Sequence, residues 1–123
     1  MGKSMNIIDL FSQNKLIHSW HAGVSNLGRQ LIMGLSGASR ALAIASAYQA
    51  NEEKIVIITS TQNEVEKLAS DLSSLIGEDK VYTFFADDVA AAEFIFASMD
   101  KAHSRLEALN FLQDKKQSGI LIT

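Results

Sequence analysis

The segment MGLSGASRAL, residues 33–42, comes close to a phosphate-binding loop in residue type and spacing. Such a loop needs a glycine, four residues, then Gly-Lys-Ser or Gly-Lys-Thr. The second glycine lets backbone N–H groups approach the phosphates, the lysine ammonium bridges the β- and γ-phosphates, and the hydroxyl ligates magnesium. Here Gly34 opens the pattern, but Ser39, Arg40 and Ala41 fall on its last three positions. Ser39 adds a Cβ where close approach is needed, Arg40 replaces a compact cation with a planar fork, and Ala41 has no oxygen for a metal. These substitutions predict that the loop does not hydrolyse ATP. The N–H groups of residues 37–40 would still head a helix, and a helix N-terminus has an affinity for anions of its own. Two readings of the loop therefore stand: a turn that caps a helix, or a residual contact to phosphate or nucleotide.

Other residues with chemical potential carry less. His18 and His21 in HSWH place two imidazoles on one side of a helical turn, but no third metal ligand accompanies them in the sequence. Asp87, Asp88 and Glu93 follow an expected strand in the manner of magnesium-binding carboxylates, yet their place at the start of a helix suits N-capping acids. Ser98 to Lys101, SMDK, matches the SxxK of penicillin-binding enzymes without the companion SDN and KTG motifs. Phe84, Phe85, Phe94 and Phe96 are close enough in sequence to cluster near a surface.

The elements that must position these residues follow from composition and periodicity. The chain has 123 residues, 47% hydrophobic, which suits one domain with a real core. A formal charge of −3 lacks the basic excess of a dedicated nucleic-acid binder. With no Cys, disulfides and thiolate zinc sites are excluded, which fits a reducing compartment. Strands are expected at residues 30–33, 54–59 (KIVIIT), 80–86 (KVYTFFA) and 118–123 (SGILIT). Helices are expected at 39–50, 62–76, 89–97 and 99–113, with a short helix in NIIDLFSQN and an irregular approach in HSWHAGVSNLGR. Thr61 and Glu64 form a capping-box pattern ahead of the second helix, and Gly77 stands where a left-handed C-terminal residue is wanted. This βαβα succession predicts a parallel sheet with helices on both faces and the glycine loop at a strand's carboxyl end. Residues 1–4 read as a leader ahead of a start at Met5, and GILIT reads as a last strand at which the chain is cut. If the parent chain returns to complete this sheet, a strand edge or an apolar face is left exposed and invites self-association.

Three long blocks carry a resemblance beyond the loop: NLGRQLIMGLSGASRALAIASAY, IVIITSTQNEVEKLASDLSSLIGEDKVYTFFADDVAAAE and SRLEALNFLQDKKQSGILIT. In order and spacing they resemble the N-terminal domain of the bacterial transcription-repair coupling factor (Mfd) family. That region is in turn similar to the first domain of the excinuclease subunit UvrB. The resemblance covers the chain from about Met5 onward. It implies an α/β, parallel-sheet P-loop half domain of RecA or helicase type, with a degenerate nucleotide loop. Gln30 would match the glutamine that precedes a working ATP loop, and Gly34, Gly37, Ser39, Arg40 and Ala41 would form the decayed loop itself. The implied role is a non-catalytic structural and interaction domain, with the alternative of a regulatory nucleotide- or anion-binding domain. In the parent protein the resemblance implies an ATP-driven DNA translocase motor downstream, and UvrA, RNA polymerase and double-stranded DNA bound mainly by other regions. ATP and magnesium would serve only that motor, so no cofactor is expected here, and the location implied is the bacterial cytoplasm.

Overall fold

The computed structural model describes residues 6–26, 28–85 and 95–123, the last beginning with backbone alone at 95–98. Two compact units divide the chain at Glu52 and Glu53. Among the described residues the fold is α/β, with five α-helices and one three-stranded parallel sheet. No helix among them is long and apolar enough to cross a membrane.

The first unit is helical. Helix α1 (Ile7–Ser12) starts on a reciprocal cap, in which Asn6 Oδ1 accepts from Asp9 N at 2.9 Å and Asp9 Oδ2 accepts from Asn6 N at 3.3 Å. Helix α2 (Lys15–Ser25) starts on Asn14, whose side chain accepts from Leu16 N at 2.9 Å. The sequence HSWHAGVS, expected to be irregular, lies on this helix. Its Gly and Ser obscure a helical spacing that buries Ile17. Helix α3 (Ala38–Asn51) is built largely from alanine, so α1 and α2 can both pack closely against it. Its buried positions include Ala41, Ala45 and Ser46.

Residues 30–33 are not a strand, which corrects the expected first strand. A β-type composition forms a strand only where a ladder partner satisfies its backbone groups, and none pairs with this segment among the described residues. Leu31 is 86% exposed and Met33 82%.

The second unit holds the sheet. Strand β1 (Lys54–Ile57) leads into helix α4 (Gln62–Ile76), a 3-10 turn (Glu78–Lys80) and strand β2 (Val81–Thr83). Helix α5 (Ile95–Gln113) then leads to strand β3 (Gly119–Ile122). The spatial order is β1-β3-β2, all parallel, so β3 enters between the two earlier strands. As the central strand it is buried throughout and apolar on both faces. Helix α5 runs unbroken through Ser98, so the helices expected at 89–97 and 99–113 are continuous from Ile95. The earlier part of the first lies outside the described residues.

Alternation along β3 assigns its faces. Leu121 packs with Ala108 and Phe111 of α5, joined by Tyr82 and Phe84, and the Tyr82 and Phe111 rings stack at 4.4 Å. Gly119, on the same face, is required by close approach: a Cβ there would lie 2.8 Å from Lys80 O and 3.1 Å from the Phe111 ring. Lys54 of β1, paired with Gly119, reaches along this face to the end of α5. Its Nζ donates to Phe111 O, Leu112 O and Asp114 O, supplying the donors that the last turn of α5 lacks. Beyond Lys54 this face of the β1 segment is uncovered, with Val56 52% exposed and Ile58, just after the strand, 83%.

Helix α4 has the bounds its signals predict. Thr61 Oγ1 accepts from Glu64 N at 3.3 Å, and Gly77 follows the last turn at positive φ (101°) with ψ 146°, extended rather than left-handed helical. The Glu64 carboxylate reaches past Thr61 to Ser60, accepting from its N–H at 3.2 Å and its hydroxyl at 2.9 Å. Val65, Leu68 and Leu72 form the buried stripe, and the helix packs on β2 and β3.

Candidate functional site

The glycine-containing loop at residues 33–37 enters α3 through two glycines at positive φ, Gly34 at 84° and Gly37 at 54°. Gly37 is the N-cap and has no side chain with which to satisfy the first helical N–H groups. The loop supplies the missing acceptors itself. Ser39 Oγ accepts from Ser36 N at 2.9 Å and donates to Ser36 O at 2.6 Å. Ser39 N donates to Ser36 O at 3.2 Å and Arg40 N to Gly37 O at 3.3 Å. Three of the N–H groups that a phosphate cradle would aim at its ligand are thus turned onto the loop's own oxygens.

The remaining expected residues diverge. Ala41, at the position where a metal-ligating hydroxyl belongs, is 1% exposed, so its methyl group is part of the packing of α3. Arg40, one residue earlier, is exposed. Gln30 turns back onto α2: its Nε2 donates to Trp20 O at 3.3 Å, over Gly23, where a Cβ would lie 2.2 Å from that nitrogen. The structure therefore groups Gly37, Ser39 and Arg40 at one helix start, buries Ala41 and commits Gln30 to a neighbouring helix.

The sequence reading did not single out a second feature, in the second unit. A cleft of about 300 Å³ opens at the carboxyl ends of all three strands, between Thr59, Ser60 and Thr61 after β1, Phe84 and Phe85 after β2, and Thr123 after β3. The hydroxyl run TST directly after KIVII was the available signal. Two of its hydroxyls donate within the loop, Thr59 to Thr61 O at 3.2 Å and Ser60 to Glu64 at 2.9 Å. Arg105 of α5 secures the opposite wall, donating from Nε at 2.9 Å and from a terminal nitrogen at 2.7 Å to Phe85 O, with its guanidinium 5.4 Å from the Phe84 ring centre.

Of the other candidates, His21 Nε2 lies 3.0 Å from Ser46 Oγ of α3, and no group of three or more His, Cys, Asp or Glu that could hold a metal exists among the described residues. Burial, and secondarily the neighbouring His18, lowers the His21 pKa below its ordinary 6.5. Lys101 of SMDK sits on α5, one face of which is packed on β2. Asp87, Asp88, Glu93 and Phe94, together with the Phe96 side chain, lie outside the described residues.

No known family model matches the chain, and no solved structure matches it. Among curated proteins, the transcription-repair-coupling factor of Bacillus subtilis (strain 168) is 28% identical over 97 residues, covering 79% of this chain and 8% of that protein. That of Staphylococcus haemolyticus (strain JCSC1435) is 26% identical over 92 residues, covering 75% and 8%. That of Staphylococcus aureus (strain USA300) is 25% identical over 92 residues, with the same coverage. The chain spans about 8% of the length of the relatives it matches. It is distantly homologous to the N-terminal part of transcription-repair-coupling factors.

Proposed function

We propose that this distant homologue of transcription-repair-coupling factors is a non-catalytic scaffold that packs against other domains and positions them. The observation that carries the reading is the half-covered sheet. Helix α5 covers β2 and β3, while Val56 and Ile58 of the β1 segment stay exposed, as do Leu109 and Leu112 of α5. An apolar sheet face left open in this way fits a surface buried by a partner.

In this reading the chain from about residue 5 onward is the first part of a UvrB-like N-terminal domain, and residues 33–42 are the remnant of a P-loop. A transcription-repair-coupling factor of this kind would act in the bacterial cytoplasm, coupling removal of stalled RNA polymerase to nucleotide excision repair by recruiting UvrA. Its ATP-dependent DNA translocase motor would lie outside these residues. The loop geometry supports the lack of catalysis, because the substituted positions fail independently. Ser39 occupies the Ser36 amide, and Ala41 offers neither oxygen nor access.

Light scattering of the chain across a concentration series tests the open face. Self-association that falls on Ile58→Lys is expected. A strict monomer throughout would remove the observation on which the reading rests.

A further inference from the structure

We propose that the free edge of β2 is a docking site for an extended, basic segment of another protein, which joins the sheet as an added strand. The edge follows from the strand order β1-β3-β2: β2 pairs with β3 on one side and with nothing on the other among the described residues. Successive residues of a parallel strand turn their backbone groups to alternate sides. Phe84 N donates to Ile122 O at 2.9 Å, and a Cβ on Gly119 would lie 2.8 Å from Lys80 O, so Lys80, Tyr82 and Phe84 face β3. Val81 and Thr83 therefore turn their backbone groups outward. The Val81 N–H is taken by Glu78 O in the turn before the strand, and past the strand Arg105 holds the Phe85 carbonyl. Three groups in a row are left for a partner: the Val81 carbonyl, and the N–H and carbonyl of Thr83.

Helix α4 makes this edge a groove. Ser70, Ser73 and Ser74 of α4 line it together with Val81 and Thr83, around a space of about 460 Å³. These small side chains leave room for those of an added strand, while the larger Val65, Leu68 and Leu72 of the same helix are buried. Tyr82 and Phe84 pack on the α5 face and leave the groove clear.

Charge selects the occupant. Residues 62–83, which run from the start of α4 to the end of β2, contain five acidic and two basic residues, an excess equal to the formal charge of the whole chain, −3. Glu78 lines the groove where β2 begins, and its carboxylate has no hydrogen bond or ion pair among the described residues. A lysine or arginine near the end of an added strand would meet it. A second copy of the chain would instead bring the same acidic excess to the edge, and like charges oppose that pairing. Main-chain bonds would supply affinity and the groove and Glu78 the selection, as in other sheets that accept a peptide strand. Strand β3 separates this edge from β1, so the site goes beyond the open face of the β1 segment and does not depend on it.

The test uses the whole isotope-labelled chain and the peptide Lys-Val-Ser-Val-Ser-Val-Lys, whose two lysines put a cation beside Glu78 whichever way the strand runs. At millimolar concentration it should shift the Val81 and Thr83 amide resonances saturably and slow exchange of the Thr83 amide severalfold. Added salt should weaken both effects. Both should fall severalfold in Glu78→Lys, with a peptide carrying glutamate in place of each lysine, and with the lysine peptide fully N-methylated. Ile58→Lys should leave them unchanged. No response of the Thr83 amide to the lysine peptide, or an equal response to either control peptide, would overturn the inference. So would self-association that survives Ile58→Lys and protects the Thr83 amide, because a second copy would then hold the edge. Should Glu78→Lys fail to fold, the two control peptides decide the matter with the parent chain alone.

Discussion

Two loops in this chain lead into helices, and they solve the same electrostatic problem with different groups. At the start of α4, Thr61 caps the backbone and the Glu64 carboxylate takes both donors of Ser60. At the start of α3 there is no acid, and the Ser39 hydroxyl takes the Ser36 amide while glycines make the turn. Each helix start exposes N–H groups that attract negative charge. At α4 a hydroxyl caps the helix and an internal anion takes the amide that precedes it, whereas at α3 an internal hydroxyl takes the preceding amide. The contrast teaches that a loop leading into a helix holds no anion where its amides already have internal acceptors, and Ser39 supplies one of them.

The largest effect is expected where the comparison is forced. The triple change Ser39→Gly, Arg40→Lys, Ala41→Thr rebuilds the phosphate-loop residues at the α3 start. It removes the Ser36 acceptor and places a larger, polar side chain at a position that is 1% exposed. Overpacking of this kind costs about 1–3 kcal/mol. Chemical denaturation should show that loss, and steady-state phosphate release should stay at background, because positioning water and magnesium needs carboxylates that β3, Gly119–Ile122, does not carry. Turnover above an Ala41→Thr control would point to Asp87 and Asp88.

A smaller effect sharpens the α4 side. Thr61→Ala removes the side-chain acceptor of Glu64 N and should lower stability by about 1 kcal/mol, measured by denaturant midpoint at constant slope. A neutral result would mean that water replaces the Thr61 oxygen at Glu64 N without loss.

The smallest effect belongs to Ser39→Ala, which leaves Ser36 N and Ser36 O without the hydroxyl at a partly exposed site. About 0.5 kcal/mol is expected, the low end for a hydrogen bond, since water can replace part of each bond. If the freed amide regenerated an anion site, sulfate would stabilise the variant more than the parent. Equal sulfate responses are the outcome that fits the difference between the two loops.

How much of this was legible in the sequence depended on whether the signal was local. Thr61, Glu64 and Gly77 fixed the bounds of α4 because caps act within a turn of the residues they serve. The apolar runs KIVII and GILI both marked strands, but not their places in the sheet: the first forms an edge strand with Val56 exposed, and the last enters the centre and is buried throughout, because strand order is set by pairing far along the chain. Residues 30–33 misled because QLIM has strand composition, and composition does not say whether a ladder partner exists. Helix α2 was hidden by Gly23 and by the two serines of HSWHAGVS, while its cap, Asn14, lay upstream. In the loop, the sequence revealed which chemical groups were missing. It could not reveal that Ser39 would fold back onto Ser36, that Gln30 would be committed to Trp20 O, or that Ala41 would face inward, because each depends on backbone direction.

The central claim is that the loop at the start of α3 is a satisfied helix cap and takes no nucleotide. Isothermal calorimetry of magnesium-ATP into the chain tests it most directly. The account predicts no saturable heat at micromolar concentrations, in the parent chain and in Arg40→Ala alike. A micromolar isotherm in the parent that disappears in Arg40→Ala would contradict it.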